Sequence, residues 1–421
     1  MTEKTFDAVC GPRVEKLFAD VRALSHSAAP LTGVTRIGYT PVEDRVVEYL
    51  ADLGRSLGLE VETDPAGDVW MTLPGKDRSL PAVVSGSHAD SVVNGGNYDG
   101  MAGIVAALCP VFWLKALGVE LRRDYRVLVI RCEEQGLIGT KGILGILKPE
   151  DLDRRFDGAA VPLREALLER GLDPKALTGG RPLIDLSKIA AFFEAHIEQS
   201  KKLDGSKTKR VGLVTGIRGI RVHRAIRAHG VQAHAGAIDY PFRRDAVAAS
   251  ARFISKVHDA WEHELSMGRD LVVTTGAIRT PDTAMFNVIA GECTMTLDMR
   301  SLEDETFARF SKKIDRILDD LTEETGVAFT MDPPALIAPN HSDAKLVERL
   351  KAAAARLSIG VQEMPSGAGH DAANFGAAGI PFAMLFIANQ EGSHNPREAM
   401  RTDDFLAAAH ILTDAVMHFD D

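Results

Sequence analysis

An α/β protein carrying a smaller inserted α+β block is the expectation from the sequence, and three observations predict it. A chain of 421 residues is long for a single core, so two domains are expected. Short β-branched runs alternate with helical periodicities up to about Thr215 and again from His341, the pattern of a largely parallel sheet with helices on its faces. Between those stretches the pattern changes to antiparallel alternation and long helices. The expected division is 1–214 and 333–421 for the α/β part and 215–332 for the insertion, with Asp332-Pro333-Pro334 as the hinge back.

Each element has its own justification. Thr40-Pro41-Val42-Glu43 reads as a capping box with proline at the first helical position. Val46, Val47, Leu50, Leu53 and Leu57 follow at helical spacing, and Gly58 closes the helix. Short strands are expected at Glu60–Thr63, Val69–Leu73 and Ala82–His88. The apolar segment from Met101 to about Gly118 reads as a buried helix. Tyr125–Cys132 is a nearly continuous apolar run, as in a strand buried on both faces, and it ends in Glu133-Glu134. Residues 147–187 read as short helices and loops. In Ile189–Gln199, alternation places Glu194, His196 and Glu198 on one face. Within the insertion, strands are expected at Arg221–Ala228, Leu271–Ile278, Gly291–Arg300 and Val327–Met331, and helices at Arg243–Leu265 and Glu303–Thr322. Ala233-His234-Ala235-Gly236-Ala237 reads as a small-residue turn. The last segment supplies a helix at Ala344–Leu357, the loop 366–371, a strand at Pro381–Ile387, the loop holding Ser393-His394 and a closing helix from Thr402.

Composition narrows the function classes. The net charge of −10 argues against nucleic acid or an anionic membrane as partner. An anionic substrate would need specific arginines to hold it. The four cysteines are scattered without a C-x-x-C pair, which suits a reducing compartment and no thiolate metal site. The N-terminal segment lacks a signal-peptide core, and the longest apolar run is too short to span a bilayer. A cytoplasmic location is therefore expected.

The chemistry-bearing residues gather at predicted strand ends, where α/β sheets place their sites. His88 ends one strand, and Asp90, two residues on, is placed to accept its spare ring N–H and fix its tautomer. Asp99 follows a glycine-rich loop. Glu133 and Glu134 end another strand, His196 lies on a third, and His394 sits in a late loop. Imidazole and carboxylate donors without cysteine suit Zn, Mn, Co or Ni, and a shared aspartate suits two divalent ions. Taken singly, His196 also fits a core histidine, and the glutamate pair a solvated strand end.

The ordered set Ser85-Gly86-Ser87-His88-Ala89-Asp90-Ser91, Asn94-Gly95-Gly96-Asn97-Tyr98-Asp99-Gly100, Glu133-Glu134, His196-Ile197-Glu198-Gln199, His234-Ala235-Gly236, Asn287-Val288-Ile289, Leu297-Asp298-Met299-Arg300, Gly367-Ala368-Gly369-His370-Asp371-Ala372 and Ser393-His394 resembles the hydantoinase/carbamoylase family of amidases, within the clan of di-zinc aminoacylases and carboxypeptidases. The resemblance implies a metal-binding α/β sheet domain and an inserted dimerisation, or lid, domain. It implies one metal held by His88 and His196, the other by Glu134 and His394, with Asp99 between them. Glu133 is then the general base, Arg300 and Asn287 clamp a substrate carboxylate, and Gln199 is a further substrate contact. His370 and Asp371 are implied to support the site. His234 is implied to reach the partner's active site in a homodimer and to polarise the scissile carbonyl.

The activity so implied is hydrolysis of the linear C–N bond of an N-carbamoyl amino acid or related ureido acid. Allantoate hydrolysis is one alternative, since Val92–Asn97 resembles allantoate amidohydrolases. An N-acyl amino acid or dipeptide hydrolase is another, and a catalytically inactive binding homologue a remote one. Departures from the family pattern, Gln135-Gly136-Leu137-Ile138 and Asn389-Gln390-Glu391 among them, surround the site without removing a ligand, so they bear on substrate identity.

Overall fold

The computed structural model is described for residues 5–421; the first four positions of the expected 1–214 span lie outside the described residues. Its contacts divide the chain into two compact units, one ending at Thr215 and resuming at Ser342, the other covering Gly216–His341.

The first unit opens with helices α1 (Phe6–Ser25) and α2 (Pro41–Ser56) and strands β1 (Glu60–Thr63), β2 (Val69–Leu73) and β3 (Ala82–His88). Helix α3 (Met101–Leu117), strand β4 (Tyr125–Ile130) and short helices α4 (Ile138–Ile143), α5 (Leu163–Glu169) and α6 (Pro174–Leu177) follow, then β5 (Ile189–Ile197) and β6 (Val211–Ile217). The second unit holds β7 (Gly219–His229), β8 (Ala233–His234), α7 (Ala246–Ser266), β9 (Val272–Thr274), β10 (Ile278–Arg279), β11 (Val288–Ile289), β12 (Glu292–Ser301), α8 (Asp304–Thr325), β13 (Ala328–Met331), β14 (Ala335–Ile337) and β15 (Asn340–His341). The chain then returns through α9 (Ala344–Arg356), β16 (Val361–Ser366), α10 (Asp371–Ala377), β17 (Phe382–Ile387) and α11 (Thr402–Met417).

The larger sheet runs β1-β2-β4-β3-β5-β17-β6-β15, with β16 also on β6. Its centre, β4-β3-β5-β17, is parallel, which explains why β4, β5 and β17 are apolar along nearly their whole length. Residues Met101–Phe112 of α3 are buried without a break, in one core with α1, α9 and α11. Each large aliphatic chain so buried stabilises the fold by about 1.5–3 kcal/mol.

The start of α2 departs from the expected capping box. Thr40 Oγ1 donates back to Ile37 O at 2.6 Å instead of capping the helix. Glu43, fully buried, accepts from Tyr39 N at 2.6 Å, Arg131 Nε at 2.8 Å and Cys132 N at 3.1 Å. A buried guanidinium needs a paired charge more than a helix start needs a cap. Glu43 therefore fixes the chain just after β4.

In the second unit β7 lies between β12 and β13, with β9 and β10 on β12 and β14 on β7. Helices α7 and α8 supply the other half of its core. The expected Leu271–Ile278 strand is broken into β9 and β10. Asp332-Pro333-Pro334 is not where the chain leaves this unit. The Asp332 carboxylate accepts from Arg224 N and Ala225 N at 3.0 and 3.1 Å, and β14 continues pairing with β7. The division falls instead between His341 and Ser342. No helix among the described residues is long and apolar enough to cross a membrane.

Candidate metal centre

The carboxyl ends of the parallel strands converge on one cluster. His88 is the last residue of β3, His196 the penultimate residue of β5, and Glu133-Glu134 follow β4. Asp99 lies just before α3, and His394 lies in the loop after β17. His88 Nε2 and His196 Nε2 are 3.4 Å apart, and both face Asp99 Oδ1, at 3.6 and 3.1 Å. On the other side His394 Nε2 is 3.3 Å from Asp99 Oδ2 and 3.2 Å from Glu134 Oε2. The donor atoms of His88, Asp99 and His196 lie within 4.8 Å of one another, as do those of Asp99, Glu134 and His394. Asp99 is common to both groups, one carboxylate oxygen to each.

This donor set fits divalent cations. The Nδ1 atoms of His88 and His196 are turned to the main-chain oxygens of Asp90 and Ile197, at 3.3 and 2.9 Å, so Nε2 is the atom each ring offers. Glu134 Oε1 is buried with no hydrogen-bond partner, a costly state for a carboxylate unless a cation completes it. Nitrogen and oxygen donors with no sulfur suit Zn, Mn, Co or Ni.

The surroundings hold these groups in place. Asp90 Oδ1 lies 3.3 Å from His88 Nδ1, and the same carboxylate accepts from Glu133 N at 2.9 Å and Glu134 N at 3.1 Å. One side chain thus orients a histidine and fixes the glutamate pair. At Gly100, with φ +64°, a Cβ would fall 2.4 Å from the His88 ring, so only glycine lets α3 begin against that ring. Cys132, Gln199 and His394 take φ of 56°, 62° and 58°. Such conformations cost on the order of 1–3 kcal/mol each, and here they cluster around the centre.

Electrostatics agree with the geometry. Burial opposes ionisation of Asp99, but His196, His394 and His88 outweigh it and hold the carboxyl well below the usual range. Burial likewise disfavours charge on His88, yet Glu133, Asp90 and Asp99 raise it well above the ordinary histidine value. His196 is raised by Asp99 against the same burial. Asp99 and Glu134 push His394 up to about 10. Burial pushes Glu133 well above the carboxylate range, with nearby Asp371, Glu134 and Asp90 adding to it and His88 opposing. Its Oε2 lies 3.9 Å from His88 Nε2.

Other anticipated residues fall into distinct places. Gln199 Nε2 donates to Asp99 Oδ2 at 3.0 Å. His370 lies edge-on to His196, ring centroids 4.6 Å apart, and is held by Ser366 at 2.9 Å. Asp371 accepts from Thr140 Oγ1 at 2.6 Å. Neither joins the two donor groups. His234, Asn287 and Arg300 belong to the second unit. Pairing of β8 with β11 sets His234 opposite Val288, and Ala235 N donates to Asn287 O at 2.9 Å. His234 is exposed and accepts from Gly236 N at 3.1 Å. Arg300 Nε donates to Asp298 at 2.9 Å.

Glu398 went unread in the sequence. It accepts from Tyr98 N and Asp99 N at 2.8 and 3.2 Å, and from Ser393 Oγ at 2.8 Å. Ser393 Oγ also lies within hydrogen-bond reach of Asp99 Oδ2, so its one hydroxyl hydrogen is shared between the two carboxyls. A Cβ on Gly96 would fall 2.0 Å from Glu398 Oε1. That small residue was the available signal, but nothing in the sequence pairs it with a glutamate so far away.

Histidine and carboxylate donors at the ends of parallel strands, with one aspartate common to two groups, define the class of metal-dependent hydrolases. The chain belongs to peptidase family M20/M25/M40, whose model matches residues 82–418, and falls among its hydantoinase/carbamoylase amidases. It is 31% identical over 407 residues to an N-carbamoyl-L-amino-acid amidohydrolase of Paenarthrobacter aurescens, covering 95% of this chain and 96% of the relative. An allantoate amidohydrolase of Escherichia coli (strain K12) is 32% identical over 397 residues, covering 92% and 93%. The crystal structure of a hydantoinase/carbamoylase family amidase from Burkholderia ambifaria superimposes with a TM-score of 0.86 at 28% identity, covering 97% of each chain. The motif resemblance is borne out, and the chain is an amidohydrolase.

Proposed function

We propose that the protein hydrolyses the linear C–N bond of an N-carbamoyl amino acid or related ureido acid, giving the amino acid, carbon dioxide and ammonia. The observation that carries this reading is Asp99, one oxygen facing His88 and His196 and the other facing His394 and Glu134. Two divalent ions per chain, Zn or else Mn, Co or Ni, would polarise the scissile carbonyl and offset charge developing on its oxygen. Glu133 takes the proton of the attacking water and returns it to the leaving nitrogen. Asp90 keeps Glu133 and His88 in register.

Arg300 and Asn287 clamp the substrate carboxylate, a planar guanidinium matching a bidentate anion. Gln199 contacts the substrate from beside Asp99. The second unit serves as a dimerisation or lid domain, and His234 donates to the scissile carbonyl across a homodimer. A cytoplasmic location suits the four cysteines, all free and buried. Allantoate remains the second substrate reading, supported by the similarity to the Escherichia coli enzyme. Ammonia release from a panel of N-carbamoyl, ureido and N-acyl acids by metal-loaded protein tests the reading. Turnover of ureido acids is expected, and turnover of N-acyl acids or dipeptides alone would replace it.

A further inference from the structure

Beside the metal centre, within the first unit, lies a cleft of about 690 Å³ lined by residues 92–93, 134–136, 154–157 and 394. Its size is that of a small-molecule site. Glu134 and His394, candidate ligands, line this cleft. Val93 and Phe156 give it an apolar wall, and Phe156 is buried, anchoring the segment that follows the short 3-10 helix Pro149–Asp153. Two arginines also line it. Arg154 lies over the Phe156 ring, 5.3 Å from its centroid, and pairs with Asp151 at 3.2 Å from an exposed position. A Cβ on Gly136 would be 3.6 Å from Arg154 Nη1, so this guanidinium reaches the turn that carries Glu133 and Glu134. Arg155 is exposed and has no hydrogen-bond or ion-pair partner among the described residues.

An unpaired guanidinium lining a cleft beside candidate ligands, in a protein of net charge −10, is a specific attraction set against a general repulsion of anions. Gln135 adds to it. Its Oε1 is taken by Gly38 N at 3.3 Å, while no described residue accepts from its amide nitrogen. Asp157 also lines the cleft, but apart from the candidate ligands it is the one carboxylate there against Arg154, Arg155 and Gln135, so the balance offers N–H donors to an anion and an apolar wall to the methylenes beside it. These are requirements of a short side chain ending in a carboxylate.

We propose that this cleft is a subsite for a second carboxylate, so that the favoured substrates are ureido acids of dicarboxylic amino acids, with Arg155 and Arg154 as the determinants. The proposal rests on the reaction assigned above. The pair N-carbamoyl-L-glutamate and N-carbamoyl-L-glutamine isolates it, because the two share the α-carboxylate and differ only in the distal group.

On metal-loaded full-length protein, kcat/KM should favour the acidic member by about tenfold or more, the worth of one charge-assisted hydrogen bond. That ratio should fall to near one in the double variant Arg154→Gln/Arg155→Gln and turn in favour of the neutral member in Arg155→Glu. Both positions are exposed, so folding is not at stake. No preference in the unaltered protein, or a preference that survives the double variant, overturns the subsite. If neither compound is hydrolysed, the panel of ureido and N-acyl acids judges the assigned reaction, and calorimetry with L-glutamate and L-glutamine judges the cleft separately. Tighter glutamate binding that is lost in the double variant sustains the subsite, and equal binding overturns it.

Discussion

Glu398 accepts the backbone N–H of Asp99 while also holding Ser393, the residue before His394. One buried carboxyl thus joins the two loops that carry the shared aspartate and the late histidine. Burial, reinforced by the negative charge of Asp99, raises Glu398 to about 7.

Replacing Glu398 by alanine strands the Tyr98 and Asp99 N–H groups and frees Ser393. Leaving a buried donor unpaired costs about 1–3 kcal/mol, and groups that orient metal ligands are worth roughly 10–100-fold in affinity. Glu398→Ala should weaken metal binding within that range, with Glu398→Gln intermediate because its amide oxygen still accepts. Titration against a competing chelator reads both, and an affinity equal to that of the unaltered protein would leave Glu398 with no role at the centre.

Glu133→Gln removes the proton carrier while leaving both donor groups whole. Metal content should stay the same and turnover should fall by about 10²–10⁴. Glu134→Gln should lose metal as well, since Glu134 faces His394 directly. Near-normal turnover in Glu133→Gln would assign the proton transfer elsewhere.

Metal affinity should fall as the pH is lowered. His88, His196 and His394 are raised in the metal-free fold, His394 to about 10, so near neutrality a cation must displace protons. The sign for stability is opposite. A raised His394 contributes to the metal-free fold fully below its unfolded value, near 6.5, and that contribution fades as pH rises through about 10. Calorimetry of metal binding in buffers of different ionisation enthalpy should show net proton release, and a heat independent of the buffer would contradict it.

If His234 acts across a homodimer, His234→Ala and Glu133→Ala should complement each other. In a mixed dimer one site carries both lesions and the other neither, so random exchange should restore roughly a quarter of the sites. Tagged subunits that demonstrably exchange without recovering activity would confine His234 to its own chain.

The parts of the fold that follow local rules were legible. β1, β2 and β3 fall at Glu60–Thr63, Val69–Leu73 and Ala82–His88, because short β-branched runs between turn residues state their own limits. The centre was legible for a related reason, since its histidines and carboxylates sit where strands end and few other polar residues do. Long-range pairing was not. Glu43 reads locally as a cap residue, but Arg131 and Cys132, far along the chain, claim it. Asp332-Pro333-Pro334 has the composition of a hinge, yet two backbone N–H groups of β7 hold its aspartate. Glu398 is an acidic residue in a charged loop until the fold sets it under Asp99.

Two ions that shared Asp99 would be magnetically coupled through it, and manganese makes such coupling visible. Protein loaded with Mn²⁺ should hold about two ions per chain and give an exchange-coupled paramagnetic resonance spectrum that is lost in Asp99→Asn. One ion per chain, or two that show no exchange coupling, would contradict the shared carboxylate.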